Sequence, residues 1–333
     1  MKSTSVVFTG PQQCELREEE LGDPGAGQIQ VQTLVSLMSI GTESWCYRGE
    51  FDADTGWANW VKHPFYPGYS NVAKVIKVGA GVTELAEGDR VFSTSNHKQF
   101  LNLGADSPSL IKLRDGLDEE SASWSKLATI TQTGVRHAAH AMGHVAAVVG
   151  LGPIGQLVTQ YLRVMGARDV LAIDTAQHRL DAALAHGATH AFCGGAGDAK
   201  PFVEEHTEGN LADVVYDATG HYAVFPLAQA LVKNFGTLLL IGDSPHPSRQ
   251  HLTQDVLTRQ LRICGTHNEK LPPAQEWWTP KRQMQLFHTY LLRGQMRTAD
   301  LITHRFRAAD APQVYADLQR DRSEVIGAMF DWR

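Results

Sequence analysis

The segment Val145-Ala-Ala-Val-Val-Gly-Leu-Gly-Pro-Ile-Gly155 restricts this chain more than any other, because it joins an apolar strand to a glycine pattern and then to a helix. Five consecutive apolar residues, Val145 to Val149, read as a strand covered on both faces, as in a parallel sheet. Gly150, Gly152 and Gly155 supply the spacing G-x-G-x-x-G around Leu151, Pro153 and Ile154, and Gln156 to Met165 continues with helical composition. Each glycine has a physical task. Gly150 permits the tight turn, Gly152 lets a pyrophosphate approach the backbone, and Gly155 lets the helix lie close on the strand. The free N–H groups of the helix start then face the phosphates. Glycine-rich turns alone are common, but here the next strand, Asp169-Val-Leu-Ala-Ile-Asp174, closes on an acid roughly 20 residues beyond Gly155, the offset of a carboxylate that binds an adenosine ribose. Together these features imply a dinucleotide site.

Asp174 also separates the two nicotinamide dinucleotides. A carboxylate bonds both ribose hydroxyls and repels the extra phosphate of NADP, so NAD is the expected cofactor. The competing reading of Asp174 is a polar strand end facing water. Arg179, five residues on, either stacks on adenine or offers charge to a 2′-phosphate.

A chain of 333 residues suits two domains. Hydrophobic residues at 43% and charged residues at 20% are those of a globular protein, and no apolar run is long enough to cross a bilayer. The opening residues lack the apolar core of a secretory signal and run straight into a strand pattern, so a cytoplasmic protein is expected. A net charge of −6 without any Lys/Arg block gives no reason to expect nucleic acid, which leaves small molecules as partners. Cys14, Cys46, Cys193 and Cys264 are scattered without C-x-x-C spacing and read as small buried hydrophobes in a reducing compartment.

The first ~125 residues are β-rich, with alternating segments such as Gln28 to Val35 and Asn71 to Val78 punctuated by Gly and Pro. From Ala128 strands and helices alternate: Val145–Val149, Val170–Ile173, Ala191–Cys193, Val214–Tyr216, Thr237–Ile241 and Leu261–Cys264 predict a six-stranded doubly wound α/β sheet. Beyond Thr266 come a Pro/Trp-rich loop, a helix from Lys281 and a final segment that returns to the first domain. The division is therefore 1–127 with 267–333 around an inserted unit, 128–266.

In this order the parts resemble the medium-chain dehydrogenase/reductase superfamily. Ser39-Ile-Gly-Thr-Glu43 stands where that family has its C-x-T-D-like turn, Pro67-Gly-Tyr-Ser70 where it has G-H-E, and Gly79-Ala-Gly-Val82 with Gly88-Asp-Arg-Val91 matches V-G-x-G-V…G-D-R-V. Asp217-Ala-Thr-Gly220 and Leu240-Ile-Gly242 are similar to its later nucleotide-contacting loops, which adds Ala218, Thr219, Gly220, Ile241 and Gly242 to the cofactor residues. Leu301-Ile-Thr-His304 is similar to its C-terminal I-T-H segment. The resemblance implies a GroES-like irregular β-barrel domain beside the Rossmann sheet, and a homodimer. Departures matter equally. Where zinc-dependent members carry Cys, His with Glu, and a Cys or Asp near the domain junction, this chain has Ile40, Tyr69 with Ser70, and a residue near Thr129; none of these is a zinc donor set, and the four-cysteine lobe is absent too, so no metal is expected. The branches that look most similar lack zinc: the hydroxyethyl bacteriochlorophyllide dehydrogenases, which share the G-T-E turn, the P-G-Y loop and a terminal D-W-R, and bi-domain oxidoreductases with G-Y-S-N, as in Gly68-Tyr-Ser-Asn71.

A nicotinamide exchanges hydride without metal if a polar group moves the alcohol proton. By resemblance Thr42 is the hydroxyl that begins a proton relay, and otherwise a turn residue. Glu43 is either a general base or a helix-starting carboxylate. Tyr69 is either a phenol that donates to substrate oxygen or a ring filling the lost metal's space. His97 resembles a structural histidine of the family, while Lys126 and His137 are weaker candidates near the junction. Trp45, Tyr47, Trp57, Trp60, Phe65 and Tyr66 form either a wall for a sugar or a flat macrocycle or an aromatic mini-core; Trp277 and Trp278 pose the same question. The expected activity is interconversion of a secondary alcohol and a ketone on a ring-bearing substrate such as a sugar, polyol or tetrapyrrole side chain. An NADPH-dependent enone or quinone reductase and a nucleotide-binding protein without turnover are the alternatives.

Overall fold

Where the chain alternates apolar and polar residues it forms strands with one covered face, and where it runs apolar it forms strands covered on both. The computed structural model describes residues 1–333, which divide into two units, Met1–Lys126 with Trp278–Arg333 and Leu127–Trp277. The first unit begins with a hairpin of β1 (Lys2–Gly10) and β2 (Gln13–Glu20), followed by β3 (Gln28–Leu37), β4 (Asn71–Val78), β5 (Arg90–Ser93), β6 (Phe100–Gly104) and β7 (Ile111–Lys112). The second holds β8 (Val145–Val149), β9 (Asp169–Asp174), β10 (His190–Cys193), β11 (Ala212–Asp217), β12 (Val232–Leu240) and β13 (Arg262–Gly265). The chain then returns to the first unit with β14 (Ile302–Arg307) and β15 (Gly327–Asp331).

In the first unit the sheet order is β14-β15-β3-β4-β5-β7, and β6 adds to β3. β15 therefore lies on β3, where Phe330 pairs Ser36 in register, so the last residues of the chain sit beside residues near its start. Isolated bridges Ser5 to Lys98 and Phe8 to Phe65 tie the hairpin to this sheet. The apolar interior gathers Phe8, Tyr47, Trp57, Phe65, Tyr315 and Phe330, with Phe8 edge-on to Tyr315 at 4.8 Å between centroids. Emptying a fully buried ring such as Phe8 costs about 3–5 kcal/mol.

The second unit is a six-stranded, wholly parallel sheet in the order β10-β9-β8-β11-β12-β13. All five residues of β8 are buried, as its unbroken apolar run requires. The chain winds outward from β8 through β9 to β10, then returns to β11 on the other side of β8. That reversal opens a crevice at the carboxyl ends of β8 and β11. Each of the six expected strands is present within a few residues, and the fold is the α/β pairing of a Rossmann-type sheet with a separate sheet unit. One boundary differs. The loop 267–277, read from sequence as part of the flanking domain, belongs to the second unit, because its turns close on themselves (Lys270 N–H to His267 O, Gln275 N–H to Pro272 O) directly after β13. No helix is long and apolar enough to cross a membrane.

Candidate functional site

The glycine turn and the acid after β9 form one piece of structure. Helix Pro153–Val164 starts with proline, is capped by Gly152 without any side-chain hydrogen bond, and so leaves its first N–H groups free for an anion. Gly150 has φ +88°, a conformation costly for other residues, and a Cβ there would also come within 2.6 Å of Thr219. A Cβ at Gly155 would fall on the Gly150 carbonyl, whereas one at Gly152 would meet nothing within 4 Å. The helix is thus pressed on the turn while the space over Gly152 stays open.

Asp174 is 8% exposed, so the alternative of a water-facing strand end does not hold. Its Oδ2 accepts the Leu151 N–H at 2.6 Å and its Oδ1 the Ala176 N–H at 2.9 Å. Each oxygen keeps a further lone pair for a ribose hydroxyl. Arg179 is half-buried on the following helix, and its carbonyl accepts Gln156 Nε2 at 2.8 Å; the same amide nitrogen also reaches Leu151 O. Beside the strand reversal, Asp217 Oδ1 accepts both the N–H (3.0 Å) and the O–H (2.6 Å) of Thr219. Burial raises the Asp217 carboxyl above its ordinary range, and the Thr219 bonds oppose that rise. The Asp217 carbonyl accepts N–H groups from Ile241 (3.1 Å) and Gly242 (2.9 Å), which stacks the Ala218–Gly220 loop on the Ile241–Gly242 loop backbone to backbone.

The first unit holds a different site, built of hydroxyls. Ser39 is the cap residue of helix Ile40–Arg48, yet its hydroxyl makes no capping bond. It instead accepts the phenol proton of Tyr69 and donates to Thr42 Oγ1 at 3.3 Å. Tyr69 also lies 3.2 Å from Thr42 Oγ1. Ser39, Thr42 and Tyr69 therefore form a closed trio. Burial raises the Tyr69 phenol well above its ordinary value, with the Ser39 and Thr42 bonds opposing, so at neutral pH it is a proton donor and not a phenolate. Gly41 is exposed and Thr42 half-exposed, which opens the trio to solvent.

Glu43 is placed otherwise than a general base requires. It is 2% exposed, its Oε1 accepts the Ser39 N–H at 2.7 Å, and its Oε2 accepts the Tyr315 O–H at 2.6 Å and faces His97 Nε2 at 3.2 Å. With both oxygens engaged in the interior, it holds the helix start that carries the trio and does not reach a substrate. Lys126 is buried and His137 half-buried. The aromatic group divides: Tyr47, Trp57 and Phe65 belong to the hydrophobic core, Tyr66 donates to Glu19 Oε1 at 2.7 Å, and Trp45 lies under the Arg48 guanidinium at 3.7 Å. Trp60 is 50% exposed, as is Trp277 at 59%. Three of the six supposed wall residues are therefore core. Ser39, Ser36, Tyr315 and Trp332 were missed as site residues by sequence reasoning: Ser36 and Tyr315 lie in no motif, Ser39 was disguised by its cap position, and Trp332 entered only as part of the terminal D-W-R.

The residues at the places of zinc ligands do not fit a metal. Ile40 is an apolar member of the core cluster, Tyr69 is held as a protonated phenol, and the buried Ser70 hydroxyl is a single weak donor. No three His, Cys, Asp or Glu side chains lie close enough together to hold an ion.

Residues 153–278 match the family model of zinc-binding dehydrogenases. The chain is 28% identical over 289 residues to L-threonine 3-dehydrogenase of Bacillus licheniformis, covering 75% of this chain and 79% of that protein. It is 23% identical over 351 residues to the 2-desacetyl-2-hydroxyethyl bacteriochlorophyllide A dehydrogenase of Cereibacter sphaeroides, covering 100% and 99%. Among solved structures, a zinc-binding dehydrogenase from Sinorhizobium meliloti bound to NADP superposes with a TM-score of 0.82 at 18% identity, covering 99% of both chains.

Proposed function

We propose that this protein is a zinc-independent, NAD(H)-dependent oxidoreductase that interconverts a secondary alcohol and a ketone on a ring-bearing substrate, a sugar, polyol or tetrapyrrole side chain. The observation that carries the proposal is the hydroxyl trio of Ser39, Thr42 and Tyr69, of which Tyr69 stands at a place that by resemblance holds a zinc ligand. The dehydrogenase names of both relatives support the reaction class, and the hydroxyethyl group in one supports a secondary alcohol on a macrocycle. The NADP of the solved neighbour supports a nicotinamide dinucleotide, and the choice of NAD rests on Asp174 alone.

The Gly150–Gly155 turn and helix start hold the pyrophosphate, Asp174 accepts from the adenosine ribose, and the Ala218–Gly220 and Ile241–Gly242 loops offer backbone groups to the nicotinamide half. When bound, NAD supplies acceptance or return of a hydride. Tyr69, kept protonated by its surroundings, donates to the carbonyl oxygen in reduction and orients the hydroxyl in oxidation. Proton movement then runs between the Tyr69 and Thr42 oxygens by way of Ser39 Oγ, and Thr42 exchanges it with solvent. A cytoplasmic homodimer is the setting that accompanies this reading.

The test is titration of metal-analysed protein with NADH and NADPH by nicotinamide fluorescence, followed by absorbance screening of cyclic alcohols, sugars and ketones. Preferential NADH binding without stoichiometric zinc, and turnover of a secondary alcohol, bear the proposal out. Preference for NADPH with reduction of enones or quinones replaces it with the reductase reading, and stoichiometric zinc overturns the metal-free mechanism.

A further inference from the structure

Behind the trio lies a buried polar chain that the proposed reaction does not itself use. Trp332 Nε1 donates to Ser36 Oγ at 2.9 Å, Ser36 Oγ lies 2.7 Å from His97 Nδ1, and His97 Nε2 lies 3.2 Å from Glu43 Oε2. Tyr315 O–H closes on the same Glu43 oxygen at 2.6 Å, and Ser39 N–H on the other at 2.7 Å. Ser36 and His97 are fully buried, Tyr315 is 1% exposed and Glu43 2%.

The direction of every bond in this chain follows from its ends. An indole nitrogen only donates, so Ser36 accepts from Trp332 and has its own proton to give. The one other partner shown for that hydroxyl is His97 Nδ1, which must then be the acceptor, leaving the ring hydrogen on Nε2. There it points at Glu43, an ionised carboxylate that accepts from Nε2–H, from Tyr315 and from Ser39 and needs no proton of its own. A doubly protonated His97 would leave the Ser36 proton without an acceptor among these groups, and a protonated Glu43 would set O–H against donors. One arrangement satisfies every member, and in a dry interior an unsatisfied member is costly.

The chain grips the trio at two points. Glu43 holds Ser39 through its backbone N–H, and Ser39 holds Tyr69. On the other side, His97 N–H donates to the Pro67 carbonyl at 2.9 Å and the His97 ring lies against Gly68, where a Cβ would come within 2.7 Å of it and where φ is +94°. The Pro67-Gly68-Tyr69 loop is therefore laid on the histidine, so a turn of that ring moves Tyr69.

We infer that Tyr315 and Trp332, from the C-terminal part of the chain, are positioning residues: they fix Glu43 as a carboxylate and His97 as its neutral Nε2–H tautomer, and so set the place of the Tyr69 hydroxyl. The inference rests on the proposed role of the trio, and its test separates the two. Nitrogen-15 NMR of histidine-labelled protein reads the His97 tautomer directly, with His97→Gln identifying the signal. The expected result is an Nε2–H imidazole at neutral pH in the wild type and loss of that signature in Ser36→Ala. In parallel, Tyr315→Phe is expected to lower kcat about tenfold, as outer-shell substitutions do, with the NADH dissociation constant within twofold of wild type. Trp332→Phe, which keeps the ring's bulk but not its N–H, gives a smaller fall in the same direction. An Nδ1–H or doubly protonated His97 in the folded wild type, or variants with altered melting but unchanged kcat, overturns the inference. Absence of turnover in the wild type with every alcohol and ketone would sink the proposed function instead, while the tautomer would still decide whether the chain is set as argued.

Discussion

The nucleotide turn and the hydroxyl trio solve the problem of placing polar groups by opposite means. The turn is almost all backbone: Leu151 and Ala176 N–H groups fix Asp174, and the glycines serve by what they lack. The trio is all side chain. It is supported by pairs distant in sequence, Glu43 with Tyr315 of the helix Ala311–Arg320, and Ser36 with Trp332, which follows β15 where it lies on β3. A backbone site tolerates exchange of most surrounding side chains, whereas a side-chain site changes its chemistry with one atom.

The largest expected effect therefore falls on the trio. Tyr69→Phe removes one oxygen and keeps the ring, and turnover should fall about 100-fold, the scale of a lost general acid, with NADH affinity unchanged. Full activity in this variant would remove Tyr69 from the mechanism. Asp174→Ala tests the other region. Loss of charged acceptors for ribose hydroxyls should weaken NADH about 30-fold, near 2 kcal/mol, with little change for NADPH. Equal weakening of both cofactors would mean that Asp174 only supports the turn through Leu151 and Ala176.

This contrast also explains what could be read from sequence. The strands of the parallel sheet, the glycine turn and Asp174 are written in contiguous residues whose periodicity and spacing carry the physics, so they were legible. Tyr69 and Thr42 stood out because they occupy positions of a known pattern. Glu43 was left open between a general base and a helix-starting carboxylate because a carboxylate beside a motif has no sequence mark of burial; only packing shows both its oxygens engaged. Tyr315 and Trp332 belong to the C-terminal part of the chain, on an ordinary amphipathic helix and in the last residues, and nothing local there announces a partner near the start of the chain. The aromatic cluster stayed open between wall and mini-core for the same reason, since composition does not tell a ring that lines a site from one that fills a core.

Two further histidines, His288 in the first unit and His140 in the second, are held neutral by burial, which gives a second comparison. His288 sits with its Nε2 2.8 Å from Ser125 Oγ, and His140 with its Nε2 2.6 Å from the Tyr216 hydroxyl. Burial pushes each down to about 4. Below an unfolded value of about 6.5 the unfolded chain takes up protons that the folded chain refuses, so the stability each neutral ring contributes is complete above pH 6.5 and is lost as pH falls toward 4. The loss should reach about 2 kcal/mol at pH 5 for His288, which is fully buried. It should be smaller for His140, whose ring is partly exposed. Melting of wild type and His288→Gln between pH 5 and 8 checks this: the substitution should flatten the acid limb, and parallel curves would show that the ring does not remain neutral in the fold.

The smallest effect is expected at Trp60, and it bears on what the substrate is. Trp60 is half-exposed, stands edge-on to Phe65 at 5.1 Å and 87°, and is tilted against Trp57 at 6.1 Å. Its neighbours are core, so they keep their places without it, and Trp60→Ala should cost under about 1 kcal/mol in stability. If the open ring face stacks on a cyclic substrate, KM for that substrate should rise several-fold while kcat and NADH affinity stay as they were, and a small acyclic alcohol should not feel the change. An equal rise in KM for both would mean that Trp60 shapes the loop and not the substrate. No rise for either would leave the aromatic cluster as core alone, and the preference for a ring would then have to come from elsewhere in the first unit.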